Sequence, residues 1–299
     1  MPPRPRFRWR IALAVFALLA LGLLALWLRE PAAAPAEPVA PPAPVLPVPA
    51  MPARATVGTS VEGRTIEAYT YGSGETRLLF VGGIHGGYEW NSVVLAYQMM
   101  DYLEANPAAI PGNLSVTIVP NANPDGVFKV VGKEGRFTAA DVPAGTDQSL
   151  GRFNARGVDL NRNFDCRWQP ESTWRSKIVS AGTAPFSEPE AAALRDLVAK
   201  EKPVAAVFWH SQANAVYASA CEAGVLPETR AIMSAYAAAA GYSAVESFDA
   251  YPVTGAAEDW LASIGVPAIT VEFSSHESLD WEKNLAGVRA LLARYAADV

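Results

Sequence analysis

An α/β fold with a largely parallel sheet, covered by helices on both faces, is what this sequence predicts from about residue 56 onward. Three observations predict it. Short apolar runs recur at 77–81, 114–119, 204–209 and 267–273, and a strand apolar on both faces belongs inside a sheet covered on both sides. Segments of helical period separate those runs, the order that strand–helix–strand crossovers require. The composition, 51% hydrophobic and 18% charged over 299 residues, is that of a globular protein rather than a disordered one.

Residues 64–71 read as a strand, Gly72-Ser73-Gly74 as a turn, and 77–81 as a wholly apolar strand. A helix is predicted from about Glu89 to Glu104, with Val93, Val94, Tyr97 and Met100 on its apolar side. A buried strand follows at 114–119. From roughly Asn121 to Thr183 the chain is Gly-rich with little periodicity, which predicts a long irregular region of the kind that carries function. Ser187 and Glu190 have capping-box spacing for a helix to about Lys200. Beyond it the pattern predicts a strand at 204–209, helices at 227–240 and 256–264, a strand at 267–273 and an amphipathic helix at 279–296. No internal repeat is present.

The first residues have a different character. Arg4, Arg6, Arg8 and Arg10 precede an uncharged apolar run, 11–28, closed by Trp27 and Arg29. As a helix it would span about 27 Å, close to the hydrocarbon thickness of a bilayer. Basic residues stay cytoplasmic, so this pattern predicts a single-pass anchor with the rest of the chain outside the cytoplasm, periplasmic or extracellular. A cleavable signal, and hence secretion, is the alternative, because Ala34-Pro35-Ala36 has the small-x-small form. The Pro- and Ala-rich stretch 29–55 predicts a semi-stiff linker, which leaves 56–299 as the folded domain.

Charge is unevenly placed. Residues 1–54 hold six Arg and two Glu, a net +4, against −6 for the whole chain, which leaves −10 on the remainder. An acidic body argues against nucleic acid as a partner. Cys166 and Cys221 are the two cysteines. They lack the spacing of a metal pair or a redox motif, and outside the cytoplasm an even number predicts a disulfide. Two separate buried thiols are the alternative.

Histidine is scarce: His85, His210 and His276. His85 follows a buried strand among glycines, and His210 follows another. In open parallel sheets ligands gather at the carboxyl ends of strands. Taken singly, each is as well explained as a hydrogen-bonded structural residue. Together with Glu89, four residues after His85, they have the composition of a zinc site with two imidazoles, one carboxylate and an open position for water. Asn161 and Arg162, side by side in a loop, suit the bidentate grip of a carboxylate, with Arg152 and Arg156 nearby; a solvated charged loop is the plain alternative.

Five segments, in order, now point to a family: His-Gly-Gly-Tyr-Glu at 85–89, Asn-Pro-Asp-Gly at 123–126, Arg-Phe-Asn-Ala-Arg-Gly-Val-Asp-Leu-Asn-Arg-Asn-Phe at 152–164, His-Ser-Gln at 210–212, and Tyr251 through Asp259-Trp260 to Glu272. Over most of 60–299 the chain resembles the zinc carboxypeptidases of the carboxypeptidase A type. The resemblance implies a three-layer αβα fold with a mostly parallel mixed sheet, and one Zn2+ per chain held by His85, Glu89 and His210. It implies that Asp159 holds the first imidazole by its other nitrogen, that Arg152 polarises the scissile carbonyl, and that Asn161 and Arg162 bind a terminal carboxylate. Tyr251 is similar to the tyrosine that closes over substrate, and Glu272 to the general base. Glu258 occupies a position that reads the substrate's end group, so an acid there implies a preference for Lys, Arg or the free amine of diaminopimelate. A solvent-facing helix residue is the alternative for Glu258. His276 has no counterpart and is expected to be incidental.

Two departures stand out. Gly87 makes the step from His85 to Glu89 one residue longer than is usual, so a bulged turn must absorb it. The arginine many relatives carry in that motif is missing, and with it a subsite contact. The expected activity is removal of C-terminal residues from extracytoplasmic peptides. Alternatives are cleavage beside diaminopimelate in muropeptides, and a silent surface module that binds carboxylates.

Overall fold

The computed structural model describes residues 51–296. The predicted membrane segment at 11–28 and most of the predicted linker lie outside them. Among the described residues no helix is long and apolar enough to cross a membrane.

In chain order the strands are β1 (Ala53–Thr59), β2 (Thr65–Gly72), β3 (Thr76–Val81), β4 (Leu114–Val119), β5 (Glu171–Trp174), β6 (Lys177–Ser180), β7 (Ala205–Ser211), β8 (Ala215–Ala218), β9 (Ser243–Val245) and β10 (Ala268–Phe273). The helices are α1 (Trp90–Ala105), α2 (Pro124–Val131), α3 (Pro189–Glu201), α4 (Pro227–Ala240), α5 (Ala257–Ser263) and α6 (Trp281–Ala296). Eight strands form one sheet in the order β1-β2-β4-β3-β7-β10-β8-β9, and β5 and β6 form a separate hairpin. The centre is parallel, β4 with β3, β3 with β7 and β7 with β10. Antiparallel pairs flank it, β1 with β2, β2 with β4 and β10 with β8. The sheet is therefore mixed, as expected.

Side-chain alternation along the central strands feeds two cores. Leu78, Phe80, Val207 and Trp209 face one layer with residues of α1, α4 and α6. Leu79, Val81, Ala206 and Phe208 face the other with residues of α3 and α5. Phe80 stacks on Trp209 with centroids 5.3 Å apart. Because both faces bury apolar side chains, these strands read as continuous apolar runs rather than alternating ones.

Three local expectations are corrected. The linker predicted to reach residue 55 gives way at Ala53 to β1, which pairs with β2. The irregular region contains α2: Asn123 accepts a hydrogen bond from Gly126 N and Pro124 occupies the first turn, a start signal that loop-like composition masked. The predicted capping box does not form. Pro189 starts α3 with no side-chain cap; Ser187 Oγ instead accepts from Thr183 N and Asn163 Nδ2, and Glu190 accepts from Val61 N and Asn154 Nδ2.

Register places the chemistry. Val81 of β3 lies opposite Phe208 of β7, so the chain leaving β3 reaches His85 at the edge where β7 carries His210. Glu272 of β10 pairs with His210.

Candidate metal centre and catalytic cavity

Between β3 and α1 the chain makes a tight turn, Gly86–Glu89, which takes up the extra residue. Gly86 has φ +47°, and a Cβ there would lie 2.6 Å from Gly151 O; only glycine fits both the conformation and the approach. Glu89 is brought back towards His85 as a result. His85 Nδ1 lies 2.9 Å from Glu89 Oε1. His210 Nδ1 lies 2.9 Å from Glu89 Oε2 and 3.2 Å from His85 Nδ1. Ligand atoms of all three buried residues fall within 4.8 Å of one another.

Each outer ring nitrogen stands near a carboxylate. His85 Nε2 faces Asp159 Oδ1 at 3.4 Å, and His210 Nε2 lies 2.9 Å from Glu258 Oε1. With protons on both Nε2 atoms, both Nδ1 lone pairs converge on one point, the arrangement ligating histidines take. Glu89 Oε2 is buried without a well-formed hydrogen bond although it stands beside His210 Nδ1, and a buried orphan carboxylate oxygen calls for a cation. Burial opposes charge on Glu89, yet the two imidazoles hold its carboxyl well below the usual range. Burial likewise opposes protonation of His210, and Glu89 and Glu258 raise its pKa well above the ordinary value. The point where these groups meet favours positive charge. Two imidazole nitrogens and a carboxylate suit zinc.

Asp159 ties several parts together. Its Oδ2 accepts from Arg152 Nε at 2.9 Å and pairs with Nη2 at 2.8 Å. Its Oδ1 accepts from Asn161 N, starting the short turn Leu160–Arg162. Despite burial, Arg152 and Arg162 hold its carboxyl well below the usual range. Arg152 is thereby aimed with its guanidinium 4.6 Å from the Trp174 ring and Nη1 4.0 Å from Glu89 Oε1.

Arg162 is buried and forms no ion pair among the described residues. Its guanidinium donates to Thr173 O from Nε at 3.2 Å and Nη2 at 3.0 Å, and to Asn161 O from Nη1. Burial depresses its pKa. Such a cation is a receptor for an anion. Gly255, at φ +71°, lets the following loop pass so close that a Cβ would sit 2.1 Å from Arg162 O. The disulfide Cys166–Cys221, in place of separate thiols, anchors that region, with Gly255 N donating to Cys166 O.

His85, Glu89, Arg152, Asn161, Arg162, His210, Tyr251, Glu258 and Glu272 all border one cavity of about 720 Å³. Asp159 lies behind it. Tyr251 is half-buried and meets Phe248 edge to face, with centroids 4.8 Å apart. Burial, reinforced by the Glu89 carboxylate, pushes Glu272 up to about 8, suiting it to accept a proton near neutral pH.

Glu258 departs from the alternative of a solvent-facing helix residue. Its carboxylate neither faces solvent nor stands free: it is 2% exposed and bonded to His210. Asn161 Oδ1 accepts from Ala257 N at 2.8 Å, and this pins the start of α5 so that its first turn faces β7. His276, expected to be incidental, bonds Ser211 and Tyr88. Trp174 and Arg175, in the β5–β6 hairpin, border the cavity; an aperiodic loop gave no signal for them beyond an exposed-looking aromatic beside a cation.

An αβα fold whose strand ends bring two histidines and a glutamate together, beside an aimed arginine and a second glutamate, offers a site able to hold zinc. A sequence profile of the zinc carboxypeptidase family matches residues 48–284, and the chain belongs to that family. It is 26% identical over 241 residues to γ-D-glutamyl-L-diamino acid endopeptidase 1 of Lysinibacillus sphaericus, covering 73% of this chain and 60% of that one. It is 29% identical over 160 residues to murein peptide amidase A of Escherichia coli K12, covering 49% of this chain and 62% of that one. The chain thus spans less than two thirds of either relative's length. Bovine thrombin-activatable fibrinolysis inhibitor, solved with tick carboxypeptidase inhibitor, superposes with TM-score 0.67 at 18% identity over 84% of this chain and 92% of that one. The E. coli O157 murein-tripeptide amidase MpaA gives 0.56 at 24% over 81% and 93%. These two likenesses show the fold.

Proposed function

We propose that this member of the zinc carboxypeptidase family is a zinc metallopeptidase, a carboxypeptidase that removes the last residue of peptides outside the cytoplasm. One observation carries the reading: Arg162, a buried guanidinium without an ion pair, borders the same cavity as the metal-binding triad. A free chain-terminal carboxylate satisfies that cation, and an internal peptide bond offers it nothing. Bound zinc supplies Lewis-acid polarisation of the scissile carbonyl and an acidified water. Glu272 accepts the water's proton and passes it to the departing amine. Arg152, aimed by Asp159, donates to the oxygen on which negative charge develops, a contribution of about 3–4 kcal/mol. The silent-module reading has no support from a site with every one of these groups in place.

An exported location is supported by the disulfide and by the basic-then-apolar pattern of the first 28 residues. Turnover of peptides with free and amidated C-termini, before and after chelation, tests the activity. Equal cleavage of both forms, or cleavage that survives metal removal, refutes it.

A second reading gives the site muropeptides, with cleavage beside diaminopimelate. The names of the relatives favour it, since one is a γ-D-glutamyl-L-diamino acid endopeptidase and another a murein peptide amidase. Rates on muropeptides against basic-ended peptides separate the two. A preference for basic end groups through Glu258 rests on its place in the cavity wall and competes with its bond to His210. The ratio of rates on Lys-ended and Leu-ended peptides in Glu258→Ile decides it.

A further inference from the structure

The motif arginine absent from this sequence leaves Tyr88 beside Glu89, and the structure returns a cation to that place from another element. Arg175, in the turn between β5 and β6, donates from Nη2 to Tyr88 OH at 3.1 Å, and its guanidinium lies 5.7 Å from the Trp174 ring. It borders the cavity and forms no ion pair among the described residues.

A directed chain of hydrogen bonds holds Tyr88 in position to receive it. Asn91 Nδ2 donates to Ser275 O and Ser278 O, each at 2.8 Å, which orients its amide so that Oδ1 accepts from Ser211 Oγ at 3.1 Å. Ser211, having given its proton there, accepts from His276 Nδ1 at 2.7 Å. His276 Nε2 is left to accept from Tyr88 OH at 3.1 Å, and the phenol oxygen then accepts from Arg175. Every donor and acceptor in the series has one assignment, and the series ends in a cation whose remaining N–H groups are free to bind an anion.

Arg162 and Arg175 both border the cavity without an ion pair among the described residues, and they are held by different elements. Arg162 is held by Thr173 O and Asn161 O, whereas Arg175 is held by Tyr88 OH, which His276 also bonds. Arg152 lies between, over the Trp174 ring that Arg175 also approaches. A peptide with its terminal carboxylate on Arg162 and its scissile carbonyl at Arg152 runs on, on the acyl side, past Tyr88.

We propose that Arg175, held by Tyr88, is a carboxylate subsite on the acyl side of the scissile bond, so that favoured substrates carry an acidic residue immediately before the bond that breaks. The inference rests on the peptidase reading and adds the substrate class. A glutamyl residue linked through its α-carboxyl and one linked through its γ-carboxyl both place a second carboxylate the same number of bonds from the scissile carbonyl, and the test separates them.

The experiment uses the zinc-loaded full chain in mild detergent and four peptides sharing one C-terminal residue: acyl-side Glu, acyl-side γ-linked D-Glu, and the side-chain or α-carboxamide of each. We expect kcat/KM to favour an acid over its amide by about tenfold or more. Arg175→Gln should bring that ratio to about one, with Arg175→Lys in between. The pair that responds identifies the linkage. A ratio near one in the parent, or one that survives Arg175→Gln, overturns the subsite. If no peptide is cleaved, the peptidase reading falls separately, and calorimetric titration of the same pairs still decides: equal affinity for acid and amide overturns the inference, tighter binding of the acid that Arg175→Gln abolishes upholds it.

Discussion

His210 Nε2 lies 2.9 Å from Glu258 Oε1, so each imidazole that points at the metal position has a carboxylate behind it, Asp159 for His85 and Glu258 for His210. Such partners fix ring orientation and raise ligand basicity. Glu258→Ala should weaken zinc binding about 10–100-fold, with Glu258→Gln between it and the parent. Competition against a chromophoric chelator measures this, and an affinity unchanged in both variants would show that the contact does nothing for the metal.

In the proposed function, substrate supplies the anion for Arg162. Replacing it with Gln should cost free-acid peptides about 2–5 kcal/mol of transition-state stabilisation and hardly touch the slow cleavage of amidated ones. The ratio of kcat/KM for the two peptide forms is the readout. A ratio that stays high would move the carboxylate receptor elsewhere in the cavity.

Glu272 must be ionised to accept a proton, so kcat/KM should fall as pH drops through its pKa. Among the protein's own charges, burial and Glu89 push it up to about 8. A bound divalent cation opposes that shift, which puts the acid limb below 8. Glu272→Gln should lower kcat by about 10²–10⁴-fold while zinc content stays at one per chain. A flat profile between pH 5 and 9, with the variant still active, would assign the base to another group.

Asp259 is a stability prediction. Burial pushes its carboxyl up to about 6, although Ala220 N donates to it. A folded pKa above the unfolded one means a contribution present at low pH and lost as pH rises through about 6. Asp259→Asn, which keeps the acceptor oxygen, should therefore gain on the parent between pH 4 and 7 by about 1–2 kcal/mol, allowing for partial exposure. Denaturant titrations at both pH values check it, and a constant difference between the proteins would contradict it.

Much of the fold was legible because its strands are buried on both faces. The runs at β3, β4, β7 and β10 are too apolar to be anything but interior strands or helices, and their brevity decides between the two. Strands β8 and β9, at one end of the sheet, are short and carry no such pattern. Helix α2 escaped notice among glycines, though Asn123 and Pro124 had announced it. The Ser187–Glu190 pair shows the opposite failure: a local motif with correct spacing whose side chains found better partners across the domain.

The candidate site divides along the same line. Sequence by itself determined which residue types stand at the strand ends, His85, His210 and Glu272, and which loop carries Arg152, Asp159, Asn161 and Arg162, because those identities are written in order along the chain. Only the tertiary structure decided that Glu258 turns inward to His210, that Arg162 is left without an ion pair among the described residues, and that Arg175 bonds Tyr88 at the end of a series running from Asn91 through Ser211 and His276. Each of these depends on how far apart two distant segments come to rest and on which hydrogen-bond groups remain unused after packing. No local pattern encodes those quantities.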